Sequence, residues 1–134
     1  MAVRLANAGI DVSITARNAD DLVAFYGEVL GFPLAKRLDW PDHGATVWFF
    51  AIGDGHLKVL GLDHPPVAAN PAGGNRAATG YRYIAIQVED VQEVLEAIEG
   101  TSAHADGPVR RHGDSTVVFV SDPEGNTIEF VQRH

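Results

Sequence analysis

The sequence of 134 residues contains no cysteine, which excludes disulfide bonds, thiolate metal sites and cysteine nucleophiles. Basic residues are also few, since 10 Lys and Arg stand against 18 Asp and Glu, for a net charge of -8. Nucleic-acid binding needs a basic surface, so we expect no nucleic-acid partner. The acidic balance would instead suit a cationic small ligand.

Long apolar runs are absent as well, and the N-terminus lacks the basic-then-apolar pattern of a secretory signal. We therefore expect no membrane partner and a cytoplasmic location. Hydrophobic residues make up 46% of the chain and charged residues 21%. This composition and length are typical of one globular domain, or of two small modules that share a core.

The order of the predicted elements repeats along the chain. Each half reads as a strand, a helix that ends at a glycine (Gly31 or Gly100), and then three strands. The predicted strands span 10–15, 34–38, 46–52, 57–62, 81–88, 108–110, 116–120 and 127–131. The repeat predicts one domain over 1–134, built from a first module at 8–63, a linker at 64–79 and a second module at 80–134.

Strand alternation predicts an apolar and a polar face in each module. The apolar faces should bury against the helices, and they carry Val12, Ile14, Ile84, Ile86, Val88, Ile128 and Phe130. The polar faces carry the candidate ligand-binding side chains Asp11, Ser13, Tyr83, Gln87 and Glu129. In the third strand Trp48 and Phe50 share one face and Phe49 takes the other, and we expect Trp48 and Phe50 to contact the ligand.

Three motifs in this pattern resemble the vicinal oxygen chelate superfamily, also called the glyoxalase/bleomycin-resistance/dioxygenase superfamily. They are the helix segment 24–32 (AFYGEVLGF), the strand segment 83–91 (YIAIQVEDV) and the C-terminal segment 122–130 (DPEGNTIEF). The resemblance implies an α+β fold in which two βαβββ modules form a U-shaped mixed sheet around a cleft. It also implies a homodimer.

The resemblance further indicates where a divalent metal would bind, because metal-dependent relatives take one ligand from the first and last strand of each module. Those positions fall on Asp11, on Lys58 or Val59, on Tyr83 and on Glu129. Lysine and neutral tyrosine are poor ligands, and valine offers no donor atom. The six histidines fall in turns, linkers or the terminus. The sequence therefore predicts no metal and no other cofactor, with a divalent ion as the less favoured alternative.

The cluster of Asp11, Tyr83 and Glu129 has three interpretations. It is a hydrogen-bonded structural group, a ligand site, or a catalytic site in which one carboxylate is the general base and Tyr83 the acid. We favour a metal-independent protein that binds a small organic ligand, cationic or aromatic, with antibiotic sequestration as the concrete version. The alternative is a glyoxalase-like lyase, isomerase or dioxygenase that acts on a small organic substrate in the same cleft. In either case the candidate ligand-binding set also includes Lys58.

Overall fold

The computed structural model describes residues 2–134 and divides the chain into two compact units, one ending at Pro66 and the other beginning at Val67. The N-terminal unit contains β1 (Asp11–Ala16), α1 (Ala19–Ala24), β2 (Leu34–Trp40), β3 (Ala45–Ile52) and β4 (Gly55–Leu62). A π-helical turn at Phe25–Val29 continues α1, and a 3₁₀ turn at Pro41–His43 joins β2 to β3.

The C-terminal unit repeats this order with one addition. It contains β5 (Tyr83–Gln87), α2 (Val91–Ile98), β6 (His104–Ala105), β7 (Arg110–His112), β8 (Ser115–Ser121) and β9 (Thr127–Arg133). The weak strand predicted at 108–110 is replaced by the two short strands β6 and β7, which both pair with β8. The predicted α+β class, with two sheets and few helices, is confirmed.

Each unit has one mixed sheet in which the first strand lies parallel to the last. The strand order is β1-β4-β3-β2 in the N-terminal unit and β5-β9-β8-β6 in the C-terminal unit. The pairs β1–β4 and β5–β9 are parallel, and the remaining pairs are antiparallel. A parallel pair needs a crossover connection, and in both units a helix is part of it.

The helices cover one face of each sheet, as the alternation predicts. In the N-terminal unit the helical segment buries Leu22, Phe25 and Tyr26. In the C-terminal unit the buried residues include Val91, Val94 and Ile98 of α2 and Val118, Val120, Ile128 and Phe130 of the sheet. None of the helices in residues 2–134 has the length and apolar character needed to cross a bilayer.

The loop between β8 and β9 is organised around Asp122, whose side chain is only 2% exposed. Its carboxylate accepts hydrogen bonds from the backbone N–H groups of Glu124 and Asn126, at 2.8 and 3.0 Å, and from Nδ2 of Asn126 at 2.9 Å. Gly125 takes the left-handed conformation that closes the loop, with φ 82°. The segment 122–126 therefore satisfies its own buried carboxylate and sets the residue at which β9 begins.

Candidate functional site

Asp11 on β1 lies beside His56 on β4, because the parallel register aligns these two residues. Oδ1 of Asp11 accepts a hydrogen bond from the backbone N–H of His56 at 2.9 Å and lies 3.0 Å from Nδ1 of the same residue. Nζ of Lys58 lies 3.6 Å from Oδ2. The hydrogen bond from the His56 side chain lowers the pKa of the Asp11 carboxyl below its ordinary value of 3.8.

Phe49 provides an aromatic surface on the same face of the N-terminal sheet. Its cross-strand partners are Lys36 on β2 and Lys58 on β4, whose ammonium groups lie 5.0 and 4.9 Å from the ring centroid. The His56 ring stands edge-on to Phe49, with 5.8 Å between centroids. Ser13 pairs with Lys58 on the other side. This face therefore combines a carboxylate, an imidazole and two ammonium groups around one apolar ring.

Trp48 and Phe50 lie on the face opposite Asp11 and Lys58, so the structure does not bring them together with the polar residues predicted to bind the ligand, and their contact with a ligand stays a prediction. Phe50 is 1% exposed and packs against Tyr26, with ring centroids 6.5 Å apart. The Trp48 indole lies against Gly61, at a point where the sheet also meets Ala19 of α1. Three consecutive aromatic residues left the choice of face open in the sequence, and the pairing of Phe49 with Lys58 decides it.

The register of β4 is also resolved, because Lys58 faces Asp11 whereas Val59 is fully buried. Ser13 pairs with Lys58 in the N-terminal sheet, just as Ala85 pairs with Glu129 in the C-terminal sheet. Lys58 therefore occupies the position that Glu129 occupies in the second unit. If the turns at Gly55 and Gly125 are aligned instead, Val59 takes this position. Glu129 lies four residues after Gly125, whereas Lys58 lies only three residues after Gly55.

Tyr83, Gln87 and Glu129 share the polar face of the C-terminal sheet. Tyr83 is 42% exposed, and its ring contacts Phe119 edge-on at a centroid distance of 5.3 Å. Glu129 is half-buried and pairs with Phe119 on one side and Ala85 on the other. The structure thus brings these three predicted residues onto one surface, and their functional roles remain predictions.

Sequence reasoning missed His56, Lys36, Phe49 and Phe119 as members of these faces. His56 was assigned to a turn, whereas the turn between β3 and β4 has only two residues and β4 already begins at Gly55. The alternation of His56 and Lys58 with the buried Leu57 and Val59 was the signal that could have identified it.

Known proteins similar to this chain include lactoylglutathione lyases. The lactoylglutathione lyase of Neisseria meningitidis serogroup A is 34% identical over 120 residues, which cover 87% of this chain and 83% of that protein. A probable lactoylglutathione lyase of Synechocystis is 30% identical over 123 residues and covers 89% and 90%. Among solved structures, a glyoxalase family protein of Bacillus cereus has a TM-score of 0.79 at 20% identity, over 98% of this chain and 96% of that one.

These relatives contradict the prediction that the protein has no cofactor, because lactoylglutathione lyases are metal-dependent enzymes. The side chains present do not, however, reproduce the ligand set that the resemblance implies. Within residues 2–134 no group of three or more His, Asp and Glu side chains is arranged to hold a metal ion. Lys58 also places its ammonium against Asp11 at the fourth-strand position. We therefore assign no reaction step to a metal.

The family assignment itself rests on nearly the whole length of the chain. The family model for the Glyoxalase/Bleomycin resistance protein/Dioxygenase superfamily matches residues 10–130. This range includes both sheets except for the last three residues of β9, both helices, and the three motifs from which the resemblance was identified. The chain therefore belongs to the glyoxalase/bleomycin resistance protein/dioxygenase superfamily.

Proposed function

We propose that this protein is a glyoxalase-like lyase that acts on a small organic substrate. The observation that carries the proposal is the 34% identity to a lactoylglutathione lyase, which extends over 87% of this chain and 83% of that enzyme. The relatives support this interpretation better than antibiotic sequestration, which was the function favoured from the sequence.

The name of the relatives specifies a thioester of a 2-hydroxy acid, and we propose substrates of this class. Cleavage of such a thioester into a thiol and a 2-oxoaldehyde begins with an isomerisation to the hemithioacetal. One proton moves from the hydroxyl-bearing carbon to the neighbouring thioester carbon, and a second moves from the hydroxyl oxygen to the thioester oxygen. No oxidant is consumed, so the protein has to supply proton acceptors, proton donors and stabilisation of negative charge on oxygen.

Glu129 is our candidate for the proton transfer at carbon. A carboxylate offers only acceptor oxygens when it is ionised, and Glu129 is half-buried beside the Phe119 ring, on the sheet face that also carries the exposed Tyr83 and Gln87. The Tyr83 hydroxyl is the candidate donor on the same face. Asp11 is the third candidate, but its carboxylate already contacts His56 and Lys58, and the hydrogen bond from His56 lowers the pKa of this carboxyl.

The proposal is tested by assaying S-lactoylglutathione cleavage, and the reverse reaction with methylglyoxal and glutathione, through the ultraviolet absorbance of the thioester. The assays are run with Ni²⁺ or Zn²⁺ supplied and again after chelation, so that the metal content of the preparation does not decide the result. Glu129→Gln should lower kcat by roughly 10²-fold or more. Its control is Glu96→Gln, since Glu96 lies exposed on α2.

Turnover by the wild-type protein that survives in Glu96→Gln and is lost in Glu129→Gln supports the proposal. Absence of turnover under every metal condition contradicts it. The homodimer and the preference for a cationic or aromatic ligand remain predictions, which sedimentation analysis and ligand titration would test.

A further inference from the structure

The contact between His56 and Asp11 determines which nitrogen of the His56 ring carries a proton. An ionised carboxylate is only an acceptor, so Nδ1, at 3.0 Å from Oδ1, must be the donor. In the neutral ring the other nitrogen, Nε2, then has a free lone pair. The His56 side chain is 35% exposed, which leaves the ring accessible to a small molecule.

Asp11 is itself held in position by three groups. The backbone N–H and Nδ1 of His56 both donate to Oδ1, while the Lys58 ammonium lies 3.6 Å from Oδ2. The Phe49 ring supports the edge of the imidazole. The ring is therefore oriented from two sides by neighbours on β1 and β3, as a proton-transferring histidine requires.

We propose that His56 is a catalytic acid–base residue of this protein, oriented by Asp11, and that Lys58 stabilises the negative charge that forms on the substrate. This inference rests on the proposed lyase function. In the proposed reaction, Nε2 takes the proton of the substrate hydroxyl, and this role does not depend on which group moves the carbon-bound proton. The O–H bond breaks, its electrons stay on oxygen, and an N–H bond forms. The resulting imidazolium returns the proton to the second substrate oxygen when that oxygen has accepted an electron pair.

The position of Lys58 fits this role because it is adjacent to the ring that would remove the proton. The other charged groups on this face of the N-terminal sheet are Asp11 and Lys36, which approach Phe49 or His56 from β1 and β2. The two ammonium groups outnumber the one carboxylate, and this excess of positive charge favours an oxyanion near His56. Asp11 is a positioning residue in this scheme, since it acts through the imidazole.

The test combines kinetics, chemical rescue and NMR. His56→Ala should lower kcat for S-lactoylglutathione by roughly 10²-fold or more with little change in KM, and added imidazole should restore part of the lost rate. Asp11→Asn replaces a carboxylate that only accepts with an amide whose NH₂ group can donate to Nδ1. ¹⁵N spectra of the histidine rings should therefore show a lower share of the Nδ1-protonated tautomer of His56, together with a lower kcat. A purely structural role of His56 and Asp11 would produce neither the rescue by imidazole nor the change of tautomer.

The matched control is His104→Ala, because His104 also forms a histidine–carboxylate contact, with Nε2 3.2 Å from Oδ1 of Asp106, on an exposed short strand. It should retain wild-type kcat. His56→Gln provides a second variant if the alanine change lowers stability. Wild-type turnover that persists in His56→Ala and His56→Gln would overturn the role of His56 while leaving the lyase proposal intact. No turnover by the wild-type protein would overturn both.

Discussion

Replacing Asp122 by alanine should destabilise the protein more than any change to an exposed carboxylate. The carboxylate is 2% exposed and accepts two backbone hydrogen bonds and one from the Asn126 amide. A hydrogen bond to a charged group contributes roughly 1.5–3 kcal/mol, but the three donors lie in one half-buried loop and water can reach some of them after truncation. We therefore expect a loss of about 3 kcal/mol in the free energy of unfolding.

Urea unfolding followed by circular dichroism measures this loss as a shift of the transition midpoint at constant slope. A loss of about 3 kcal/mol corresponds to a fall in Tm of roughly 10 °C for a domain of this size. Asp122→Asn keeps one acceptor oxygen and should lose about half as much. Asp42→Ala, in an exposed turn, is the control and should change stability by no more than about 0.5 kcal/mol. A loss below about 1 kcal/mol for Asp122→Ala would refute the reasoning that this loop depends on its carboxylate.

Two further predictions test the faces of the N-terminal sheet. Phe50→Ala should lower the free energy of unfolding by about 3–5 kcal/mol, because it leaves a cavity in a buried site against Tyr26. Phe49→Ala, on the half-buried face, should lower it by less than about 2 kcal/mol in the same urea assay. The reverse order of the two losses would contradict the assigned faces. Because the folded-state pKa of Asp11 is lowered, its pairing stabilises the protein above pH 3.8, and this contribution is lost as the pH falls through the lower folded value. Between neutral pH and about pH 3, the Tm of Asp11→Asn should therefore fall by less than the Tm of the wild type. If the Tm of both proteins falls by the same amount over this pH range, the pairing of Asp11 does not contribute to stability.

Much of the fold could be predicted because it depends on local periodicity. Alternation along the first strand of each unit, with Asp11 and Tyr83 on the polar side, agrees with the exposure pattern of β1 and β5. Period-two geometry acts within one strand, so it requires no knowledge of the partner strand. The same reasoning placed Glu129 between the buried Ile128 and Phe130.

The candidate site was less predictable, because it depends on how strands pair. His56 joins Asp11 only through a tight two-residue turn and the parallel register of β1 and β4. Lys36 reaches Phe49 across an irregularity in the β2–β3 pairing. Neither relation is encoded in a spacing along the chain, since each depends on where two distant segments come into register.

The sequence by itself determined the family, the repeated element order and the residues that share a face within each strand. The family is indicated by the resemblance of the segments 24–32, 83–91 and 122–130, whereas the element order and the shared faces follow from local turn chemistry and side-chain alternation. Only the tertiary structure decided that Phe49, and not Trp48 or Phe50, shares a face with Lys58, and that His56 contacts Asp11. The physical reason is that β3 carries apolar residues on both faces, so alternation alone cannot orient it, whereas its pairing with β4 and the helix packed on the sheet do.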